Sequence, residues 1–224
     1  MLPPPAIVDE APADRPEFDF AVGLSFWAPT ERPVLGAFIA FVSWSGIDGV
    51  LHVRFYEVGQ LTVYAGVEGF YSRALLLEVV GEALLGAVPG GGTWDFTPVH
   101  YGAMGRLGAS FFPTSRTQPS LFFLAGTDRM NLGMSYTAED GSYGEARYGE
   151  TAVRLGGGVG VDFRVGSAAL IGVEYRYQAA RSFVTDSAVT LQNAQGDPLV
   201  DFEQQKWQSP PRGSAWAVRF GRRF

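Results

Sequence analysis

Two stretches of this chain alternate, residue by residue, between large apolar and small or polar side chains, and a tight turn joins them. Over 152–165, Val153, Leu155, Val159, Val161, Phe163 and Val165 fall on one face. Arg154, Gly156, Gly158, Gly160, Asp162 and Arg164 fall on the other. After Gly166-Ser167 the pattern resumes, with Ala169, Ile171, Val173, Tyr175 and Tyr177 opposing Leu170, Gly172, Glu174, Arg176 and Gln178. Successive side chains of a strand point to opposite faces. A sustained period of two therefore predicts strands, and two such runs across a glycine turn predict a hairpin. Residues 18–27 and 99–112 alternate in the same way, and 121–136 reads as one long strand with a bulge near Thr127-Asp128. The chain ends in a further strand, with Trp216, Val218, Phe220 and Phe224 on one face and Ala217, Arg219, Gly221 and Arg223 on the other.

Composition narrows the class. No break in composition divides 18–224, so one domain is expected there. Residues 1–17, with Pro3, Pro4, Pro5, Pro12 and Pro16 among acidic residues, read as a flexible extended tail. Met1–Pro5 has neither the basic nor the apolar region of a signal peptide, and the expectation is a mature chain bearing an added Met. There is no run of about 18 uncharged apolar residues, so no membrane-crossing helix is expected. Leu35–Trp44 and Ala74–Val88 come nearest, and the second carries Glu78 and Glu82. The absence of cysteine excludes a disulfide scaffold and a thiolate metal site. A net charge of −6 argues against a nucleic-acid partner. Of the 17 basic residues only Lys206 is a lysine. Arginine suits fixed, partly buried ion pairs better than lysine does.

Alternation alone does not say which face is inside. A lipocalin-like soluble barrel turns its apolar face inward, whereas a membrane barrel turns it outward to lipid. The polar face here is rich in Gly, Ala and Ser, which suits a narrow lumen. Its charges are mixed and able to pair: Glu68, Glu78, Glu82, Asp162 and Glu174 with Arg106, Arg154, Arg164 and Arg176. The apolar face carries more Phe, Tyr, Val and Leu than a small interior holds. The expected fold is therefore all-β, a closed antiparallel up-and-down transmembrane β-barrel spanning 18–224. Gly166-Ser167 is a short connection, whereas Thr137–Glu150 and Ser182–Gly213 read as long polar loops. Membrane barrels place short turns on the periplasmic side and long loops outside. That puts both termini in the periplasm and the last strand against Phe18–Trp27. Between residues 28 and 98 the candidate strands are 35–45, 49–57, 60–70 and 74–86. Ten strands are favoured, and eight are the alternative.

The segment Gly156-Gly157-Gly158-Val159-Gly160-Val161-Asp162-Phe163-Arg164, then Gly172-Val173-Glu174-Tyr175-Arg176-Tyr177, and the terminal Phe224 resemble the OmpA/OmpX-type superfamily of small outer-membrane β-barrels. The resemblance covers 99–224 and is weaker over 28–98. It implies a bacterial outer-membrane location, contact with outer-membrane lipid and lipopolysaccharide, and a monomer. It also implies that the last strand is read by the barrel-assembly machinery, with Trp216, Phe220 and Phe224 as assembly-signal and interface aromatics. Arg222 departs from that signal, which has a hydrophobic residue two places before the end. No specific activity is implied.

Other motifs have plain explanations. Gly156–Gly160 with Asp162 is no nucleotide loop, because a strand rather than a helix follows. The two histidines are His52 and His100, and Asp95 lies near the second. A membrane lipid hydrolase would place a Ser/His pair with an acid on the barrel wall, but no serine partner is identifiable. Glu139, Asp140, Glu145 and Glu150 are candidates for divalent cations beside lipopolysaccharide, a solvated loop being the plainer reading. No cofactor and no metal are expected. The function expected is non-enzymatic: a scaffold, a surface-loop binder or a narrow conduit. The alternatives are a soluble small-ligand barrel and the lipid-modifying hydrolase.

Overall fold

The computed structural model describes residues 17–29, 44–74, 79, 92–166, 168–195, 197–201 and 212–224. These form β1 (Glu17–Pro29), β2 (Trp44–Val58), β3 (Leu61–Arg73), β4 (Thr93–Phe111), β5 (Thr117–Thr137), β6 (Tyr143–Val165), β7 (Ala169–Gln192), β8 (Pro198–Asp201) and β9 (Arg212–Arg223). Every pairing is antiparallel. Each strand from β1 to β7 pairs with the next, β7 pairs with β9, and β9 returns to β1, closing a ring. The short β8 adds to the upper end of β7, outside the ring.

The ring thus has eight strands, and the ten-strand expectation is corrected. β1 pairs directly with β2 from Glu17↔Arg54 to Trp27↔Trp44, and β3 pairs directly with β4 from Leu61↔Phe111 to Arg73↔Val99. These contiguous ladders leave no place for further staves. Of the two extra candidates, Trp44–Ser45 belongs to β2 and Ala74 lies just beyond β3. Residues 35–43, 75–78 and 80–86 lie outside the described residues, and so does the proline-rich tail up to residue 16.

Register fixes the size of the ring. A hydrogen-bonded row starting at Phe18 passes through Val53, Ala65, Leu107, Phe123, Gly157, Tyr177 and Ser214. It regains β1 at Ala28, ten residues further along. Eight strands with that stagger tilt by about 40° and enclose a backbone radius of about 8 Å. A lumen this narrow holds side chains and little else.

The apolar face is outside. Phe20, Leu24, Phe123, Leu155 and Phe220 are each about half exposed, whereas Glu68, Arg106, Arg154, Glu174 and Arg219 are at most 5% exposed. A soluble ligand-binding barrel requires the reverse. Aromatic side chains bracket this outer band. Phe18, Tyr56, Phe112, Phe163 and Phe224 lie towards one end, and Tyr71, Tyr101, Tyr177 and Trp216 towards the other. At about 2.5 Å of axial rise per residue the two sets are roughly 22 Å apart, near the height of an outer-membrane apolar band. Arg222 faces outward within the first set, its guanidinium 5.2 Å from the Phe224 ring centroid, which is how a cation is tolerated there.

The two ends differ. One carries the start of β1, the end of β9 and the tight turns at Gly59 (φ 58°) and Gly166 (φ 69°), where the left-handed backbone favours glycine. At the other end half of the wall rises well above the rest. β6 and β7 have 23 and 24 residues, against 13 in β1 and 12 in β9. Crossing an apolar layer takes only about 9–11 tilted residues. Much of what reads as loop in Thr137–Glu150 and Ser182–Gly213 is therefore strand, and only 138–142 separates β5 from β6.

Polarity inverts where the wall leaves the ring. From Pro119 to Ala125 the outward residues of β5 are apolar. Above Asp128 they are Arg129, Asn131, Gly133, Ser135 and Thr137, while Met130 and Leu132 pack inward and Met134 and Tyr136 share their face of the strand. No bulge at Thr127-Asp128 causes this, since both ladders of β5 run through it unbroken. The bulge expected there lies instead at Thr151/Ala152, between β6 and β7. Pro98 and Pro119 sit where pairing with one neighbour ends, so their missing N–H groups disturb no central ladder.

Candidate functional site

Among the described residues the lumen is where charged groups converge, and it is layered along the barrel axis. In the lowest layer Asp19 of β1 accepts hydrogen bonds from Arg54 Nε (2.7 Å) and Arg223 Nε (2.9 Å). Gln118 Oε1 accepts from Arg223 (3.1 Å), and its amide donates to Pro113 O (2.6 Å) at the turn below.

The central layer holds three carboxylates and three guanidiniums: Asp48 of β2, Glu68 of β3 and Glu174 of β7 with Arg106 of β4, Arg176 of β7 and Arg219 of β9. Arg106 grips Glu174 with both terminal nitrogens, at 2.9 and 2.6 Å. Arg219 donates to Glu174 (2.7 Å) and to Asp48 (3.0 Å from Nε), and its Nη2 lies 3.0 Å from Glu68. Arg176 bridges Asp48 (2.8 Å) and Glu68. Opposite charges alternate around this cluster and balance. All six side chains are nearly sealed from solvent. The Arg106 guanidinium also stacks 3.5 Å from the Phe122 ring, in space left open by Gly158, where an added Cβ would meet that ring.

In the upper layer Asp128 joins His100 Nε2 and Arg154 Nε, the latter at 2.6 Å. Above and around them Trp27 and Trp44 meet edge to face with ring centroids 6.4 Å apart, both in contact with the His100 ring. Met130 and Leu132 complete this apolar cap. Among the described residues the lumen holds a cavity of about 20 Å³, lined by Asp19, His52, Asp162, Glu174 and Arg219 among others, with room for about one water.

The residues singled out in the sequence are dispersed through these layers. Glu68, Arg106, Glu174 and Arg176 meet in the centre, and Arg154 belongs to the upper layer. Asp162 is half-buried beside the cavity. Arg164 is at the turn end and donates to Pro113 O (3.0 Å). Glu78 and Glu82 lie outside the described residues. Sequence reasoning passed over Asp48, which precedes the strand expected at 49–57, and Asp128, set aside as a bulge. Asp19 and Arg219 lie on correctly assigned polar faces, but nothing local marked them as partners of residues so far away.

Among the described residues the partners of the His100 ring are not a serine and Asp95. Its acid is Asp128 rather than Asp95, which is exposed and accepts from Thr97 (3.2 Å). Ser72 Oγ donates to the His100 main-chain carbonyl (3.2 Å), not to the ring. The ring itself is shut between Trp27, Trp44 and Phe70. The acidic residues near the β5–β6 turn are satisfied separately. Hydrogen bonds from the Ser142 side chain and main chain hold Asp140 below the ordinary carboxylate range. Glu145 takes the Tyr143 hydroxyl and Arg147, and Glu150 takes the Tyr148 hydroxyl. Among the described residues no group of three or more acidic or histidine side chains is placed to hold a metal ion.

No protein-family model matches the chain, and no curated protein matches it. Solved structures do. The chain is similar to a major outer membrane protein from Thermus thermophilus, with 10% identity, 94% of this chain and 100% of that one covered, and a TM-score of 0.54. This is the fold of a small outer-membrane β-barrel. Looser overlays are found with Ail, the attachment invasion locus protein of Yersinia pestis (12% identity, 94% and 100% covered, TM-score 0.46), and with Neisserial surface protein A (14% identity, 93% and 95% covered, TM-score 0.40). At such identities the likeness speaks for the fold alone.

Proposed function

We propose that this protein is a non-enzymatic integral barrel of the bacterial outer membrane, a sealed scaffold that carries a binding sheet to the cell surface. The short turns and both termini face the periplasm, and the tall end of β4–β7 faces outward. The observation that carries the reading is the filled lumen. Three charged layers and a tryptophan cap occupy a ring of about 8 Å backbone radius, and the cavity found among the described residues has room for about one water. A conduit needs a continuous wet path, whereas a scaffold needs rigidity, and paired guanidiniums in a packed interior supply that. The raised wall then has the outward role, since its outer face is polar and β8 presents extended backbone at its margin. Trp216, Phe220 and Phe224 serve the membrane interface and the assembly machinery.

The protein reconstituted in planar bilayers is expected to show no stepwise conductance, and in detergent gels the unheated chain is expected to migrate faster than the boiled one. A steady ohmic conductance would refute the sealed lumen. A chain that stays soluble and folded without detergent or lipid would refute the membrane location.

A further inference from the structure

On the outward face of the barrel, charge is confined to narrow zones. Alternation places Arg73 at the top of β3, Arg129 in β5 and Arg181 in β7 on the face that carries the apolar band below them. Arg212 holds the corresponding register position at the start of β9. These four are not near one another in sequence. Their heights coincide once the climb of the hydrogen-bonded rows, about 3 Å per strand, is allowed for. All four then fall within about 3 Å of one level along the barrel axis. On the other four strands Ala28, Ser45, Val99 and Thr151 hold the register positions near that level. Four of eight positions are therefore arginine, and no carboxylate is among them. Of the carboxylates on the tall wall, Asp95 stands roughly 12 Å higher and Glu145 roughly 18 Å higher.

The level has a physical meaning. It lies a few ångströms above Tyr71 and Tyr101, at the upper edge of the apolar band, and it is where the polarity of β5 inverts. Among the described residues the lower rim has no such belt on its strands, where Arg222 faces outward over Phe224. Arg129 fans between Asn131 Oδ1 (2.9 Å) and Thr151 Oγ1 (3.4 Å), which spreads its guanidinium along the outer wall. Planar guanidinium groups bind phosphate oxygens with paired donors, which an ammonium cannot do.

We propose that Arg73, Arg129 and Arg181 form a belt that binds the phosphate groups of lipid headgroups in the leaflet at the loop end of the barrel. This rests on the membrane reading above and adds to it a ligand chemistry, a level and a sidedness. Each arginine at such an interface contributes about a fivefold preference for anionic lipid, so three together contribute on the order of a hundredfold.

The test uses the full chain refolded into phosphatidylcholine vesicles with and without phosphatidic acid, a phosphomonoester lipid, and native mass spectrometry of the released protein to count retained lipid. Wild type is expected to retain phosphatidic acid over phosphatidylcholine. The triple variant R73Q/R129Q/R181Q is expected to lose that preference on the order of a hundredfold while still refolding in phosphatidylcholine. R181Q alone, at an exposed position, should lose about fivefold and keeps the test open if the triple variant refolds poorly. R147Q, above the belt and paired with Glu145, should change nothing. Undiminished retention by R181Q and the triple variant would overturn the belt. So would an equal loss from R147Q, or complete displacement of the lipid by inorganic phosphate. Failure of wild type to insert into either vesicle would instead strike the membrane reading itself.

Discussion

Glu174→Gln is expected to destabilise the folded barrel by about 3–5 kcal/mol, the usual cost of leaving a buried charge uncompensated. Glu174 takes both terminal nitrogens of Arg106 and one of Arg219, so its loss leaves three guanidiniums facing two carboxylates. Little water can compensate, because Phe122 and Tyr64 line one side of Arg106 and the cavity beside Glu174 has room for about one water. Urea unfolding in phospholipid vesicles, followed by tryptophan fluorescence, measures the effect. The double variant Glu174→Gln/Arg106→Leu restores the balance of charge and should recover a substantial part of the loss, a coupling of at least about 1.5 kcal/mol. A single variant within about 0.5 kcal/mol of wild type would mean that the network does not hold the barrel together.

Phe123→Arg should cost about 2–4 kcal/mol by the same measurement, because it puts a cation at mid-height on the lipid-facing side. Phe123 is half exposed, and in a water-soluble barrel an arginine there would be neutral or helpful. Thr127→Arg, on the same face of the same strand but near the upper rim, should cost only about 0–1 kcal/mol. The gradient between the two positions is the signature of a bilayer. Equal, small effects at 123 and 127 would show that water surrounds this surface.

Both expectations trace to the same division of labour. A strand's two faces are written locally, in the period of two, and the strong runs at 18–27, 152–165 and 169–178 read correctly. The polar face was also correctly matched to a narrow lumen, because glycine and alanine there leave space for a few large charged side chains. Above the apolar band the alternation of β5 keeps its period but reverses its sense, and the strand expected at 121–136 runs through that reversal; 143–150 and 182–192, which continue no apolar run of their own strands, read as loop although they are strand.

The number of strands and the partners in the lumen lay beyond local reading. Segments 35–45 and 74–86 are apolar enough to be staves, and only the direct ladders β1–β2 and β3–β4 exclude them. Arg219 and Asp48 are 171 residues apart, and Arg106 and Glu174 are 68 apart. Nothing near either member of such a pair specifies the other. The arginine belt is of the same kind, since its members share a level only after the ten-residue stagger is known.

By itself, then, the sequence determined that the chain forms two-faced strands, that the greasy face is too large for the interior, and that the last strand closes on the first. Each follows from side-chain periodicity and volume, which are properties of short segments. The tertiary structure decided that eight strands suffice, which charges meet, and that the lumen is filled. Those depend on register, and register is set only when distant strands pair around a closed ring.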